Sequence, residues 1–337
     1  MNLRSIYHIN INCTDFERSY AFYEMLGFRP IVGPGEGAGG TISDRILHLG
    51  RKTRSRGAIM QLGDDPHCSH VDLIAWQEPR TEGRPYERLD HIGIARACFY
   101  SKNVWQDYST LRAKGVQFYS EPEIATYKTG QSAVVCFEDP DGTVLELVQF
   151  QRSATRPAAL PEPHPGGKLH LVSMYHININ CTDFERSLRF YKSLGFREVV
   201  DMSGQQQETG AAAGVIGSKV LRVPDAAGGR SMILGVGDNP HCSHIDLIQW
   251  GDSKSGGRPY ERLNHCGIAR ACFYSKSIWR DYEELRAAGV RVWSEPEFMK
   301  YPGGDGAAVV CFEDPDGTVL ELVQYHKQAV KPPKPWA

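Results

Sequence analysis

The chain has 337 residues and a formal net charge of −2, from 38 basic and 40 acidic residues. This balance argues against nucleic acid or an anionic membrane surface as the main partner. We expect no membrane span, because no apolar run approaches the roughly 20 residues that a span needs. We also expect no secretory signal, because residues 1–5 lead directly into a predicted strand and lack an apolar core. The nine cysteines lie in apolar segments, which indicates reduced thiols and predicts a cytoplasmic protein.

The opening segment of the chain is the first sign of an internal duplication. Tyr7–Ser19 returns intact at Tyr175–Ser187, and Gly93–Lys102 returns at Gly267–Lys276. Repetition at this distance predicts two copies of one domain.

The predicted domains cover residues 1–152 and 172–328, with a Pro/Gly-rich linker at 153–171. Each domain divides again into two similar modules. The predicted modules cover residues of about 5–77, 88–150, 173–250 and 262–326.

Each module is predicted to be a β-α-β-β-β unit, which makes the chain an α+β protein. In the first module, Phe16, Tyr20 and Tyr23 recur near helical spacing after the opening strand, and Gly27 is a good helix stop. About three strand-like runs follow each helix.

The closing strand of the second module carries an unusual charge. Phe137–Gln149 recurs unchanged at Phe312–Gln324, and its Asp-Pro-Asp-Gly start predicts a tight turn before a buried strand. Glu146 lies in the middle of that apolar strand, where an unpaired carboxylate is costly. A metal ion is an economical partner for it.

Other residues supply candidate metal ligands at matching places. Asp65–Trp76 aligns without a gap on Asp139–Phe150, which places Asp72 opposite Glu146, and each half-domain opens with a histidine. Two imidazoles and two carboxylates form a normal ligand set for a divalent metal. The predicted ligands are His8, Asp72, His91 and Glu146 in the first repeat, and His176, Asp246, His265 and Glu321 in the second.

These features resemble the vicinal oxygen chelate superfamily of glyoxalase I, bleomycin-resistance proteins and extradiol dioxygenases. The motifs are the opening-strand histidines, the FYxxLGF helix end at Phe22–Phe28 and Phe190–Phe196, and DPDGxxxE. The resemblance implies paired βαβββ modules that form cup-shaped mixed sheets around a metal. It leaves open whether modules pair within a repeat or across the repeats.

Asp72 departs from the Glu or Gln that is more frequent in the family, which leaves a three-ligand alternative of His8, His91 and Glu146. His70 shares a strand face with Asp72, so His70 and His244 are candidate bases, together with Glu146 and Glu321 as ligand carboxylates that also move protons. Gly83–Arg88 is interpreted as a rigid inter-module linker rather than a substrate clamp.

Three functions fit the resemblance. The first is a glyoxalase-type lyase or isomerase that binds a small oxygenated substrate through two of its oxygens. The second is a non-haem Fe(II) ring-cleaving dioxygenase, although Cys136 and Cys311 stand where the extradiol signature has Tyr. The third is a small-molecule binding or resistance protein, which retention of all ligand positions argues against.

The resemblance implies a divalent metal ion, Fe²⁺, Mn²⁺, Ni²⁺ or Zn²⁺, and a small-molecule substrate with vicinal oxygens. The Gly-rich stretches 33–60 and 201–233 differ between repeats and are predicted to be loops at the mouth of each cup. The sequence leaves the metal, the substrate and the oligomeric state open, with a homodimer among the options.

Overall fold

The computed structural model describes residues 1–127, 130–151, 156–202, 216–223, 229–251, 256–300 and 306–326. Four sequence predictions fall partly outside these residues: the end of the first domain at 152, the start of the linker at 153–155, much of the loop at 201–233, and the end of the second domain at 327–328. No helix in the described part of the chain is long and apolar enough to cross a membrane.

Each predicted module is a β-α-β-β-β unit, as expected. In the first repeat the elements are β1 Leu3–Asn12, α1 Phe16–Met25, β2 Arg29–Ala38, β3 Arg54–Gln61, β4 His70–Glu78, β5 Gly93–Ser101, α2 Val104–Ala113, β6 Glu123–Tyr127, β7 Gly130–Glu138 and β8 Val144–Gln151. In the second repeat they are β9 Leu171–Asn180, α3 Phe184–Ser193, β10 Arg197–Asp201, β11 Arg230–Gly235, β12 His244–Gln249, β13 Gly267–Ser275, α4 Ile278–Ala287, β14 Glu297–Lys300, β15 Gly306–Glu313 and β16 Val319–His326. Short π-helical segments lie at Ile42–Ile46 and Ile216–Val220.

Local sequence sets the helix boundaries. The Asp15 carboxylate accepts a hydrogen bond from the Arg18 N–H at the start of α1, and the Asn103 side chain accepts one from the Gln106 N–H at the start of α2. Such side-chain caps satisfy amide groups that have no partner within the helix. Gly27 follows α1 with a φ of 100°, a conformation that glycine adopts without strain.

The described strands form two curled, mixed, eight-stranded sheets. The first sheet has the order β14-β15-β16-β13-β1-β4-β3-β2, and the second has the order β10-β11-β12-β9-β5-β8-β7-β6. At the centre of each sheet two opening strands run antiparallel, β1 beside β13 and β5 beside β9. Each sheet therefore joins one module from each repeat, so the modules pair across the repeats.

Apolar side chains pack on both faces of the sheets. The largest core cluster includes Tyr23 of α1 and Tyr191 of α3, both fully buried. A separate cluster of the first sheet packs Ile46 and Leu47 of the π-helical segment against Trp76 and Cys272. The second sheet has an equivalent cluster around Val220. These two smaller clusters cover the strand faces that carry the polar residues described next.

Candidate functional site

A buried ion cluster occupies the middle of the first sheet. The Arg270 guanidinium of β13 donates to the Glu321 carboxylate of β16 with a Nε–Oε2 distance of 2.7 Å, and to the Asp72 carboxylate of β4 with a Nη2–Oδ2 distance of 3.0 Å. Arg270 is 4% exposed and Glu321 is 5% exposed. Charges this deep in an apolar strand are tolerated because they neutralise one another.

His8 of β1 faces the same carboxylate from the other side. Its Nε2 atom lies 3.7 Å from Glu321 Oε1, which is too far for a hydrogen bond. Neither ring nitrogen of His8 has a hydrogen-bond partner among the described residues. Burial, which outweighs the opposing effect of Glu321, lowers the pKa of His8 to about 3. The imidazole is therefore neutral near pH 7 and keeps a free lone pair.

The two carboxylates of this cluster differ in their electrostatics. Burial works against ionisation of Glu321, but the charge of Arg270 and hydrogen bonds from Arg270 and Cys272 together hold its pKa below the ordinary value. Burial raises the pKa of Asp72 to about 6, despite its contact with Arg270. Glu321 is thus the permanently ionised member, and Asp72 can exchange a proton near neutral pH.

The second sheet repeats the arrangement. The Arg96 guanidinium donates to Glu146 Oε2 at 2.6 Å and to Asp246 Oδ2 at 2.8 Å. Both ring nitrogens of His176 lack a partner among the described residues, and burial lowers its pKa to about 3. One difference is that the Ser231 hydroxyl donates to Asp246 Oδ1 at 2.9 Å, whereas the strand-equivalent residue in the first sheet is Gly57.

Internal symmetry explains this composition. Each opening strand contributes one residue to a cluster, and this residue lies seven positions before the N-cap position of the next helix. The pairs are His8 and Asp15, Arg96 and Asn103, His176 and Asp183, and Arg270 and Ser277. The closing-strand carboxylates also occupy equivalent positions. Asp72 pairs with Asn10, two residues after His8, and Glu321 pairs with Cys272, two residues after Arg270. Each sheet therefore combines one histidine, one arginine and two carboxylates.

This result differs from the predicted ligand set, which contained two histidines. His91 and His265 precede β5 and β13 instead of lying on them. The His91 ring stacks on Tyr86 with 3.9 Å between centroids, and its Nδ1 atom lies 2.9 Å from the Ile92 carbonyl oxygen. Neither histidine belongs to a group of candidate metal ligands in the described part of the chain.

The pairing of modules also divides the set predicted for each repeat. His8 and Asp72 lie in the first sheet with Glu321, whereas Glu146 lies in the second sheet with His176 and Asp246. The three-ligand alternative of His8, His91 and Glu146 is not assembled either. A ligand set read from one repeat alone could not show this, because the closing-strand carboxylate comes from the other repeat.

Sequence reasoning missed Arg96 and Arg270. The signal was available, because an arginine recurs in the middle of the apolar strand sequence GIARACFYS in both repeats. Counting back from the helix caps, instead of matching His91 to His8, identifies the arginine as the equivalent of His8.

The candidate bases His70 and His244 lie beside the clusters, at the starts of β4 and β12. His70 Nδ1 is 2.9 Å from the Tyr7 carbonyl oxygen, so this nitrogen carries the proton and Nε2 is a bare acceptor. The His70 ring stacks on Tyr7, and burial lowers its pKa to about 4. His244 makes the equivalent contact with the Tyr175 carbonyl oxygen at 3.2 Å.

Unpartnered polar atoms converge on the first cluster. Besides the His8 nitrogens, Asn10 Oδ1, His70 Nε2 and Arg270 Nη1 are buried without a hydrogen-bond partner among the described residues. In the second sheet the equivalent atoms of His176, Asn178 and Arg96 also lack a hydrogen-bond partner among the described residues. Buried polar atoms are normally satisfied, so an unsatisfied set that occurs twice indicates a place for a polar ligand.

The donor set fits a divalent metal ion. Ligand atoms of His8, Cys272 and Glu321 lie within 4.8 Å of one another, as do those of His176, Cys98 and Glu146. Ligands bonded to one ion at about 2.1 Å cannot be more than about 4.2 Å apart, and the His8–Glu321 separation of 3.7 Å meets this limit. Imidazole, carboxylate and thiolate are all usual ligands of zinc and its neighbours.

Comparison with known proteins agrees with this architecture. The sequence matches the model of the Glyoxalase/Bleomycin resistance protein/Dioxygenase superfamily over residues 5–147 and 173–322. Glyoxalase I from Zea mays is a similar solved structure, at 19% identity and a TM-score of 0.59, with 95% of this chain and 92% of that chain covered. A putative dioxygenase from Bacillus subtilis subsp. subtilis str. 168 has 11% identity and a TM-score of 0.57, with 96% and 86% covered. At these identities the similarity shows a shared fold. No curated protein matches the chain.

Proposed function

Because the chain belongs to the Glyoxalase/Bleomycin resistance protein/Dioxygenase superfamily, we propose that it is a metal-dependent lyase or isomerase of the glyoxalase type. The substrate would be a small molecule with vicinal oxygens. The observation that supports this proposal is the buried cluster in each sheet, where a neutral histidine without partners faces a carboxylate held by an arginine. Burying these charges lowers the stability of the fold, and a role in binding a metal ion would explain why they are present.

The ligands that would hold the ion are His8 Nε2, Glu321 Oε1 and Cys272 Sγ in the first sheet. When bound, the ion supplies a Lewis acid that polarises a substrate carbonyl and stabilises developing negative charge. Glu321 suits the ligand role because its pKa is lowered, so it stays ionised. Arg270 fixes its orientation through Oε2 and leaves Oε1 facing His8.

Asp72 is the residue best suited to move a proton in the first sheet. Its pKa of about 6 lies close to neutral pH, where a general base is most effective. Arg270 Nη2 holds one carboxylate oxygen, which orients the group. His70 remains a predicted acceptor, although its pKa of about 4 makes it a weaker base.

An unpaired guanidinium nitrogen indicates the class of substrate. Asp72, Glu321 and a Cys272 thiolate ligand would carry three negative charges, which Arg270 and a divalent ion together balance. Arg270 Nη1 has no partner among the described residues and can donate to a substrate oxygen. The substrate would therefore be a small oxygenated molecule, such as a hydroxy or oxo acid, that places one oxygen at this donor.

The dioxygenase alternative finds less support. It needs two histidines and one carboxylate on a single iron ion. In the described part of the chain, each candidate ligand group at the clusters contains one histidine.

Elemental analysis of the purified chain tests the metal requirement, with two ions expected per chain. Glu321→Gln should remove one ion, and Glu146→Gln the other. Exchange of the carbon-bound proton of 2-hydroxy and 2-oxo acids in D₂O, followed by NMR, tests the reaction class. Metal binding without exchange would support a binding protein, and metal-dependent oxygen uptake with catechols would support the dioxygenase.

A further inference from the structure

Two cysteines from equivalent positions of the repeats meet away from the ion clusters. Cys68 precedes β4 and Cys242 precedes β12, each within the sequence Pro-His-Cys-Ser-His. Their Sγ atoms lie within 4.8 Å of each other and of an Asp65 carboxylate oxygen, and the two thiols share a hydrogen bond. Each cysteine is 1% exposed.

The surrounding contacts hold the two turns against each other. The Ser69 hydroxyl accepts a hydrogen bond from the Met174 N–H at 3.0 Å, and the Ser243 hydroxyl accepts one from the Ile6 N–H at 3.1 Å. The Asn239 amide donates to Asp65 Oδ2 at 2.9 Å across the same junction. These bonds all connect one repeat with the other, so the thiols are brought together by the native fold.

The backbone next to each thiol is also constrained. Ser69 and Ser243 have φ values of 65° and 66°, in the left-handed region that L-residues seldom adopt. Strain of this kind persists only where the surrounding structure imposes it. Here it accompanies the inward placement of the preceding cysteine in both repeats.

We propose that Cys68 and Cys242 are a redox pair that forms a disulfide between the two repeats when the protein meets hydrogen peroxide. The Cys242 thiolate attacks one peroxide oxygen, which gives a sulfenic acid and releases the other oxygen as hydroxide that is protonated to water. The Cys68 sulfur then attacks the sulfenic sulfur, the S–S bond forms, and a second water leaves with the Cys68 proton. Two thiols and one peroxide thus become one disulfide and two waters.

Thiol acidity supports the choice of Cys242 as the attacking group. The hydrogen bond from Cys68 lowers the pKa of Cys242 and outweighs its burial. Burial raises the pKa of the cysteines outside this pair, which include Cys13, Cys98 and Cys272. The hydrogen bond with Cys242 and burial raise the pKa of Cys68. Since the thiolate is the reactive form, oxidation should begin at Cys242.

The alternative is a metal ion bound by the same two thiols, and the contacts of Asp65 argue against it. Its Oδ1 atom accepts the His67 N–H at 3.0 Å and its Oδ2 atom accepts the Asn239 amide, so both oxygens already have partners. Two thiols alone fall short of the four ligands that a structural zinc site uses.

The test is peroxide oxidation of the full chain, followed by alkylation, trypsin digestion without reductant, and mass spectrometry. Trypsin releases Cys68 in residues 57–80 and Cys242 in residues 231–254, each without another cysteine. We expect these two peptides to be linked after oxidation and released by dithiothreitol. The oxidised chain should also run faster on a non-reducing gel, because the link closes a large loop.

Variants identify the roles of the two thiols. Cys68→Ser should leave a sulfenic acid at Cys242 that dimedone traps, Cys242→Ser should abolish rapid oxidation, and Cys13→Ser should change neither result. A peptide link between other cysteines, irreversible oxidation of Cys242 without a link in the unmutated chain, or bound zinc that either serine variant removes would overturn the proposal. If a variant fails to fold, peptide mapping of the oxidised, unmutated chain is sufficient to test the proposal.

Discussion

His8 and Arg270 occupy equivalent positions in two modules of one sheet, and the Glu321 carboxylate presents one oxygen to each of them. The internal symmetry of the fold would place identical groups there. Instead, a neutral ring with a free lone pair faces a permanent cation. Arg270 thus orients the carboxylate and keeps it ionised through Oε2, whereas Oε1, which faces His8, is left open to a ligand.

The first prediction concerns this arginine. Arg270→Met should lower the free energy of unfolding by about 3–5 kcal/mol, because it leaves Asp72 and Glu321 buried without a counter-charge. Added Zn²⁺ or Mn²⁺ should restore part of the loss, since the cluster then carries two negative charges. Urea unfolding with and without the ion measures both effects.

Arg29→Met is the matched control, because Arg29 forms an exposed ion pair with Asp64. Such pairs contribute about 0–1 kcal/mol, so this variant should unfold almost like the unmutated chain. An Arg270→Met variant of normal stability that ignores added metal would contradict the electrostatic account of the cluster.

The second prediction separates the observed site from the predicted ligand set. His8→Ala should reduce the metal content by one ion per chain, because it removes the imidazole that faces Glu321. His91→Ala should leave the metal content unchanged, because His91 packs on Tyr86 outside both clusters. Elemental analysis of both variants decides the matter, and metal loss in His91→Ala alone would favour the predicted set.

The fold was largely predictable because its signals are local. Helix periodicity, turn residues and the repeated strand sequences identify the β-α-β-β-β module, and the apolar strand around Glu146 identifies the closing strand. The alignment of Asp72 with Glu146 also agrees with the strand register. Each of these signals lies within one module.

The composition of the site was not predictable in the same way, because it depends on pairing between distant strands. Because β5 and β13 have the same sequence, β1 could pair with either of them, and among the described strands it pairs with β13. The choice decides whether His8 meets Glu146 or Glu321. The placement of His91 away from the clusters was hard to predict for a different reason: a histidine that precedes a strand resembles one that lies on it, until the register is counted from the helix cap.

The third prediction follows from the pairing across repeats. A fragment of residues 1–151 should form a homodimer, because β5 has the same sequence as β13, and a second copy can supply the strand that β1 lacks. Without it, both modules would expose an unpaired edge. Light scattering after size-exclusion chromatography measures the mass, with the full chain as the control. A folded, cooperative monomer would show that the modules can also pair within one repeat.

The fourth prediction concerns Gly257, which lies against His91 in the contact between the repeats. A Cβ atom at Gly257 would come within 2.0 Å of His91 Nε2, and its φ is 80°. Gly257→Ala should therefore lower the free energy of unfolding by about 2 kcal/mol or more, from backbone strain and overpacking together. Gly115→Ala is the control, because Gly115 has a φ of 87° with no atom within 4 Å of the added Cβ. Equal losses in the two variants, measured by urea unfolding, would show that His91 moves aside freely.

The fifth prediction concerns pH and the aspartates that begin the closing turns. Asp139 Oδ2 accepts the Tyr23 hydroxyl at 3.0 Å, and Asp314 makes the equivalent bond with Tyr191 at 2.8 Å. Burial raises the pKa of each carboxyl to about 6. The folded pKa thus exceeds the unfolded one, so the protonated form stabilises the fold at low pH, and this contribution disappears as pH rises through 6.

Replacing both groups with Asn removes the titration but keeps the side-chain volume. Between pH 4 and pH 7 the unmutated chain should lose more stability than the Asp139→Asn, Asp314→Asn double variant, by on the order of 3 kcal/mol per site. Urea unfolding of both proteins at several pH values measures the difference, in which the titration of all other groups cancels. Parallel stability curves would mean that the hydrogen bonds at these turns keep both aspartates ionised throughout, and that burial is not the dominant influence on them.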